Sequence, residues 1–273
     1  HLVVKTARGT GEVMVVLVIN GKGIPNAEKL VEMLDDYIYN LPPSEDGVEY
    51  SLESVVLSIC KGKNGNLPGS VMGEELITIA GKPVIREQAG GLEFEISPLS
   101  FYQVNPVQTE ILYGKAIEFA GLTGKEKVID AYCGIGTIGM AAAGKAGSVI
   151  GVEVNRDAVR DAVTNAKRNN MKNITFYNED AGEFMVKMAA QGETADVVFM
   201  DPPRAGSDEA FLSSLLQLSP KRVVYISCNP VTQARDLKYL TSHGYRVERC
   251  QPVDMFPWTY HIENIVALVQ KIR

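Results

Sequence analysis

The rhythm of apolar and polar positions changes near Ser97. Before it the signals are mixed. An unbroken apolar run over residues 13–19, following a Gly9-Thr10-Gly11 turn, predicts a strand, and residues 26–39 predict a helix with Leu30, Leu34 and Ile38 as its stripe. Residues 50–60 read as a β-branched strand, 61–69 as a Gly/Asn/Pro-rich loop, and 76–79 and 92–96 as short strands. This makes residues 1–97 a small α+β domain, closed by Gly90-Gly91 and Ser97-Pro98.

From Asn105 onward helices and strands alternate. A helix over 106–120 precedes strands over 127–131, 148–153, 174–177, 196–200, 222–227, 246–253 and 265–270, and 156–169 is the clearest helix between them. Such alternation implies a mostly parallel sheet covered on both faces, so residues 98–273 are expected to form a Rossmann-like α/β domain. The last two strands have only a loop between them, too short for a crossover helix, and are expected to be antiparallel.

Composition adds little and excludes some classes. The 273 residues are 45% hydrophobic and 22% charged, an ordinary globular balance, and the longest apolar run is far too short to span a bilayer. A cytoplasmic protein with no membrane partner is expected. Cys60, Cys133, Cys228 and Cys250 show no paired spacing, so free thiols and no metal site are expected. The net charge of −6 runs against a non-specific nucleic-acid binder. A basic patch built from Lys61, Lys63, Arg86, Arg204, Lys221, Arg222 and Arg235 would be hidden in that total. The chain opens at His1 within an apparent strand, so an upstream module is expected.

Chemistry gathers where strands end. The first strand of the second half runs into Asp130-Ala131-Tyr132-Cys133-Gly134-Ile135-Gly136-Thr137, a glycine-rich turn on which a ligand can approach the backbone. The next ends at Glu153, placed to bind ribose hydroxyls, and the third at Asn178-Glu179-Asp180, suited to an adenine amino group. Asp130, just before the turn, would repel a pyrophosphate but could help seat a sulfonium. S-adenosylmethionine therefore fits better than a dinucleotide. The fourth strand ends in Asp201-Pro202-Pro203-Arg204, a stiff turn that aims a carboxylate outward. The fifth ends in Ser227-Cys228-Asn229-Pro230, which displays a thiol at the start of a helix, whose positive end would favour ionisation. Cys60, Cys133 and Cys250 read as buried filler.

Together with Phe101-Tyr102-Gln103-Val104-Asn105 and His261-Ile262-Glu263-Asn264, these blocks resemble the RNA uracil-C5 methyltransferases, in the family's order and over the whole chain. The nearest likeness is to the branch that makes 5-methyluridine in 23S ribosomal RNA; a transfer-RNA branch shares most of the motifs. The resemblance implies an RNA substrate, with Cys228 attacking uracil carbon 6 and Glu263 removing the carbon-5 proton. It also implies an S-adenosylmethionine pocket lined by Gln103, Tyr132, Thr137, Glu153, Asp180 and Asp201. Thr137 stands where relatives often have asparagine. Asp201 or Gln103 could instead bind the uracil edge, and His261 could contact ligand, orient a neighbour or simply pack. Relatives usually carry an upstream oligonucleotide-binding barrel and some an iron–sulfur cluster; neither is in this sequence, and the first domain is expected to contact RNA. The target base must leave its stack, with Tyr102 or Phe256 as candidate aromatics.

Three rivals stay open on the sequence. They are an inactive RNA-binding protein, a cytosine-C5 methyltransferase, which would commonly show Pro-Cys rather than Ser227-Cys228, and an amino-group methyltransferase built on Asp201-Pro202-Pro203.

Overall fold

The computed structural model describes residues 1–61, 71–73 and 75–271, and the chain in it forms two units, His1–Tyr102 and Gln103–Arg273. Most of the 61–69 loop, including Lys63, lies outside the described residues.

In the first unit, β1 (Leu2–Thr6), β2 (Glu12–Ile19), β3 (Ser51–Ile59) and β4 (Glu75–Gly81) form a sheet in that order, with α1 (Ala27–Tyr39) crossing between the parallel β2 and β3. Burial explains the apolar runs: Met14, Val16, Val56 and Ile85 form one core, while Val13 and Val15 face Ile38 of α1. A ribbon of β5 (Ile85–Ala89) and β6 (Leu92–Ile96) completes the unit's strands. Strand β5 is absent from the sequence expectation, because Ile-Arg-Glu-Gln-Ala carries little apolar signal. Its Arg86 is held by Glu12 at 2.6 Å and its Glu87 by the Arg8 and Gly9 amides. The unit extends to Tyr102 rather than closing at Ser97, since the Ser97 amide bonds Ser100 and the Tyr102 ring lies 6.2 Å from Phe94.

The second unit opens with α2 (Pro106–Ala120), capped by Asn105 with proline in its first turn. Next come β7 (Lys127–Ala131), α3 (Thr137–Ala143), β8 (Ser148–Glu153), α4 (Arg156–Arg168), β9 (Ile174–Asn178), α5 (Ala181–Ala190), β10 (Val197–Met200), α6 (Glu209–Leu218), β11 (Arg222–Ser227), α7 (Pro230–Ser242), β12 (Tyr245–Val253) and β13 (Glu263–Gln270). The sheet order is β12-β13-β11-β10-β7-β8-β9. The five strands from β7 to β11 are parallel, and their buried Val and Ile runs face helices on both sides. This is an α/β Rossmann-like architecture.

Two topological features shape the C-terminal edge of this sheet. The order reverses between β7 and β10, which opens a crevice above their C-terminal ends, where open α/β sheets bind ligands. Strand β13 inserts between β11 and β12 and runs antiparallel to both. Its first residue therefore arrives at the edge where the parallel strands finish.

Candidate active site

Six segments converge on that edge. Strands β7, β8, β9, β10 and β11 deliver Asp130, Glu153, Asp180, Asp201 and Cys228 at or just past their ends, and β13 delivers Glu263 at its start. Ser227 pairs with Asn264 at the last rung of the β11–β13 ladder, so Cys228, which follows the end of β11, and Glu263, the first residue of β13, lie next to that rung, and Glu263 acts electrostatically on the Cys228 thiol. Sequence separation hides this proximity and topology creates it.

The glycine turn is built from backbone constraints. Tyr132, Gly134 and Gly136 all have positive φ, 63°, 54° and 84°. A Cβ on Gly136 would come within 2.8 Å of the Phe176 ring, whereas one on Gly134 would meet nothing within 4 Å. Gly134 thus leaves its backbone open to the outside. Glu153 braces the turn from β8, accepting the Gly134 amide at 3.1 Å and the Asn155 amide at 2.8 Å. Asp180 is exposed and caps α5, accepting the Glu183 amide at 3.0 Å.

Asp130 is wholly buried. One oxygen accepts the Gly139 amide at 2.7 Å, the other has no hydrogen-bond partner, and burial pushes the carboxyl up to about 7. Through that amide it ties α3 to β7. Tyr113 of α2, which no sequence motif singles out, draws the other groups together. Burial raises its phenol well above the usual range, Asp201 adds to this, and hydrogen bonding with Thr137 and Gln103 opposes it.

The nucleophile side has a different electrostatic character. Asp201 is pushed up to about 8 by desolvation, then by Glu263 and Asp130. Glu263, 4% exposed, is raised to about 7 by desolvation. The Cys228 thiol is half-buried and raised by desolvation first and then by Glu263 and Asp201, with its own backbone and Arg204 pulling the other way. The expectation that the helix after it would ease its ionisation is overtaken by desolvation first and by Glu263 and Asp201 after it. The α7 end is also already capped by Asn229, which accepts the Val231 amide at 3.1 Å.

Gln233 of α7, likewise outside every sequence motif, sets the geometry of this side. It is 1% exposed, donates to the Tyr225 and Asn264 carbonyls at 3.0 and 3.1 Å, and accepts from the Asn264 amide at 2.6 Å. It thereby locks β11 to β13 where both enter the site. Asn105 donates to the Met255 carbonyl at 3.1 Å and holds the β12–β13 loop. His261 meets Arg204, Nη2 to Nδ1 at 3.1 Å, and packs against Phe256 and Tyr260.

Other expectations need correction. Cys60 and Cys133 are buried, but Cys250 is exposed because it lies on edge strand β12. The basic patch is largely neutralised: Lys61 pairs with Glu75, Arg86 with Glu12, Lys221 with Asp196, Arg222 with Glu248 and Arg235 with Asp236. Arg204 forms no ion pair among the described residues. The Tyr102 ring packs near Phe94 in its own unit and Phe256 supports His261, so neither is a freely presented aromatic. No helix among the described residues is long and apolar enough to cross a membrane, and no cluster of three or more His, Cys, Asp or Glu there could hold a metal.

The model of one protein family, described as tRNA (Uracil-5-)-methyltransferase, matches residues 84–271. An uncharacterized RNA methyltransferase of Caldanaerobacter subterraneus is 49% identical over 272 residues, 100% of this chain and 57% of that protein. One from Halalkalibacterium halodurans is 44% identical over 271 residues, 99% of this chain and 56% of that protein. The chain thus spans little more than half the length of these relatives. The crystal structure of Pyrococcus abyssi tRNA (uracil-54, C5)-methyltransferase in complex with S-adenosyl-L-homocysteine matches at 29% identity and a TM-score of 0.77, over 98% of this chain and 59% of that one. The tRNA m1G37 methyltransferase of M. jannaschii, at 13% identity, a TM-score of 0.62, and 98% and 75% coverage, is a likeness of fold alone.

Proposed function

The chain belongs to the tRNA (uracil-5-)-methyltransferase family, and from that premise we propose that it methylates carbon 5 of a uridine in RNA by covalent catalysis from Cys228. The observation that supports this reading is that Cys228 and Glu263 adjoin the last rung of the β11–β13 ladder, where Glu263 acts electrostatically on the thiol. Carbon 5 of uracil is a weak nucleophile. Addition of the Cys228 thiolate to carbon 6 forms a C–S bond and pushes the ring electrons toward carbon 5, which then takes the methyl group. Glu263, as carboxylate, removes the carbon-5 proton; the electron pair reforms the double bond and expels the thiolate. Its carboxyl, raised to about 7, is poised to accept a proton near neutrality.

S-adenosylmethionine supplies an electrophilic methyl group when bound. The residues fit it: Gly134 leaves an open backbone approach, and Glu153 and Asp180 end consecutive strands beside it. We assign its binding to Gln103, Tyr132, Thr137, Glu153, Asp180 and Asp201. Asp201 also faces Cys228 and Glu263 electrostatically, which leaves it able to bind the uracil edge. The first unit we assign to RNA contact.

Ribosomal RNA of the large subunit is the proposed target, on the motif resemblance. Transfer RNA is the second reading, supported by the family's description and by the Pyrococcus abyssi enzyme. The test is transfer of labelled methyl by the full-length enzyme to unmodified ribosomal and transfer RNA, with nucleoside analysis of the product. We expect 5-methyluridine, and a Cys228→Ala enzyme at least ~10⁴-fold slower, as for loss of a catalytic nucleophile. Label at a ring nitrogen or an amino group, or activity that survives the substitution, would overturn the covalent route.

A further inference from the structure

The loop of residues 254–262 joins β12 to β13 and carries the only tryptophan of the chain. Trp258 is 105% exposed, and Tyr260, two residues on, is 88% exposed. Large aromatics are ordinarily buried for most of their area, so two exposed within three residues of one loop mark a contact surface. The loop holds them in place. Thr259 donates its amide and its hydroxyl to the Phe256 carbonyl, at 3.1 and 2.8 Å, and its Oγ1 accepts the His261 amide at 3.1 Å. Trp258 itself has φ 68°, a backbone conformation that bulky residues rarely adopt.

The neighbours indicate the partner. The Tyr260 ring lies 4.3 Å from His261, whose Nδ1 meets the Arg204 guanidinium at 3.1 Å. Arg204 is exposed and free of ion pairs among the described residues. The loop then leads directly into Glu263. Flat aromatic faces next to an uncompensated guanidinium match a nucleic acid strand, whose bases stack and whose phosphates take a cation. We propose that Trp258 is a stacking platform for an unpaired base adjoining the target uridine, with Arg204 holding a neighbouring phosphate. This rests on the methylation reading and adds a substrate-binding residue to it.

The test uses this chain and its full-length parent with single-stranded RNA bearing one uridine. On the chain, Trp258 is the sole tryptophan and its emission should be quenched as RNA is added. In full-length kinetics, Trp258→Ala should raise KM for RNA about tenfold, the loss of one stacked base, leaving kcat and the KM for S-adenosylmethionine within twofold. Trp258→Phe should restore most of the affinity. Methylation by an enzyme whose Trp258 emission does not respond to RNA, or unchanged KM in Trp258→Ala, would overturn the platform while the catalytic reading stood. So would a full-length protein in which the emission removed by Trp258→Phe is already shielded from a soluble quencher, since a protein segment would then cover it. RNA quenching without any uridine methylation would support the platform and sink the catalytic reading.

Discussion

On the β7–β8–β9 side of the site, carboxylates are used up on the backbone: Asp130 takes the Gly139 amide, Glu153 those of Gly134 and Asn155, Asp180 that of Glu183. On the β10–β11–β13 side, Asp201 and Glu263 accept no hydrogen bond among the described residues, and both are raised, to about 8 and about 7. The same residue types at equivalent strand ends therefore do different work. Carboxylates anchored by amides stiffen a turn and cap helices, which shapes a binding surface without moving protons. Carboxyls without amide donors and at least partly withdrawn from solvent hold their protons near neutrality, and such groups exchange protons with a substrate. Asp130 sits between the two cases, with one oxygen bonded and the other buried without a partner.

The sharpest way to break this contrast is Glu263→Gln. If the proton-handling side depends on this carboxyl, kcat should fall by roughly 10²–10⁴, as for loss of a general base. The methylated base should also remain bonded to Cys228, as a denaturation-resistant protein–RNA species on a gel. The wild-type rate should rise through about pH 7 as Glu263 ionises, a limb the variant should lack, leaving only the rise at higher pH as the Cys228 thiol, itself raised, ionises. A variant within threefold of wild type, with no trapped adduct, would remove Glu263 from the chemistry.

Next in size is Asp130→Asn, which asks whether the anchored side carries a hidden cost. The carboxyl has an ordinary value of 3.8 and is raised to about 7 in the fold. Between these values the unfolded chain releases its proton while the folded chain keeps it. The folded state therefore binds more protons, and stability from this group is fully present below about pH 4 and lost as pH rises through about 7. Asparagine can still accept the Gly139 amide and does not ionise. Denaturant unfolding of the variant should show a flatter pH dependence, with a gain on the order of 1–3 kcal/mol over wild type at pH 8. A variant less stable than wild type at pH 8 would mean that the buried charge is compensated.

How much of this is legible in the sequence depends on which interactions are local. Parallel strands buried on both faces read as apolar runs, so β7 to β11 are legible, as are the turns that end them, because Gly-rich and Asp-Pro-Pro segments announce themselves. The antiparallel β12–β13 pair is legible from its short connection. Strand order is not. Nothing local says that β13 slips between β11 and β12, and the Cys228–Glu263 proximity depends on that insertion, so from sequence it rests on family resemblance. Cys250 escapes the sequence for the same reason, since an edge position is a property of the sheet. Gln233 and Tyr113 act through partners far away in the chain and leave no pattern on their own helices. Trp258 does leave one, as a lone tryptophan three residues before His261, and a count of rare residues near the motif finds it.

The smallest expected effect comes from the exposed end of the anchored side, and it separates two jobs that one residue holds. Asp180 caps α5, and loss of such a cap costs about 1 kcal/mol. Asp180→Ala should lower stability by that amount, while Asp180→Asn, which keeps an accepting oxygen for the Glu183 amide, should stay within about 0.3 kcal/mol of wild type. Binding of S-adenosylmethionine, measured by calorimetry, distinguishes the roles. If the carboxylate itself receives the adenine amino group, both variants should weaken binding, alanine more than asparagine, because only asparagine keeps an acceptor. If Asp180 merely shapes the turn, asparagine should bind as wild type does and only alanine should weaken it. Equal, full affinity in both variants would reduce Asp180 to a helix cap and leave cofactor recognition to the other residues assigned to it.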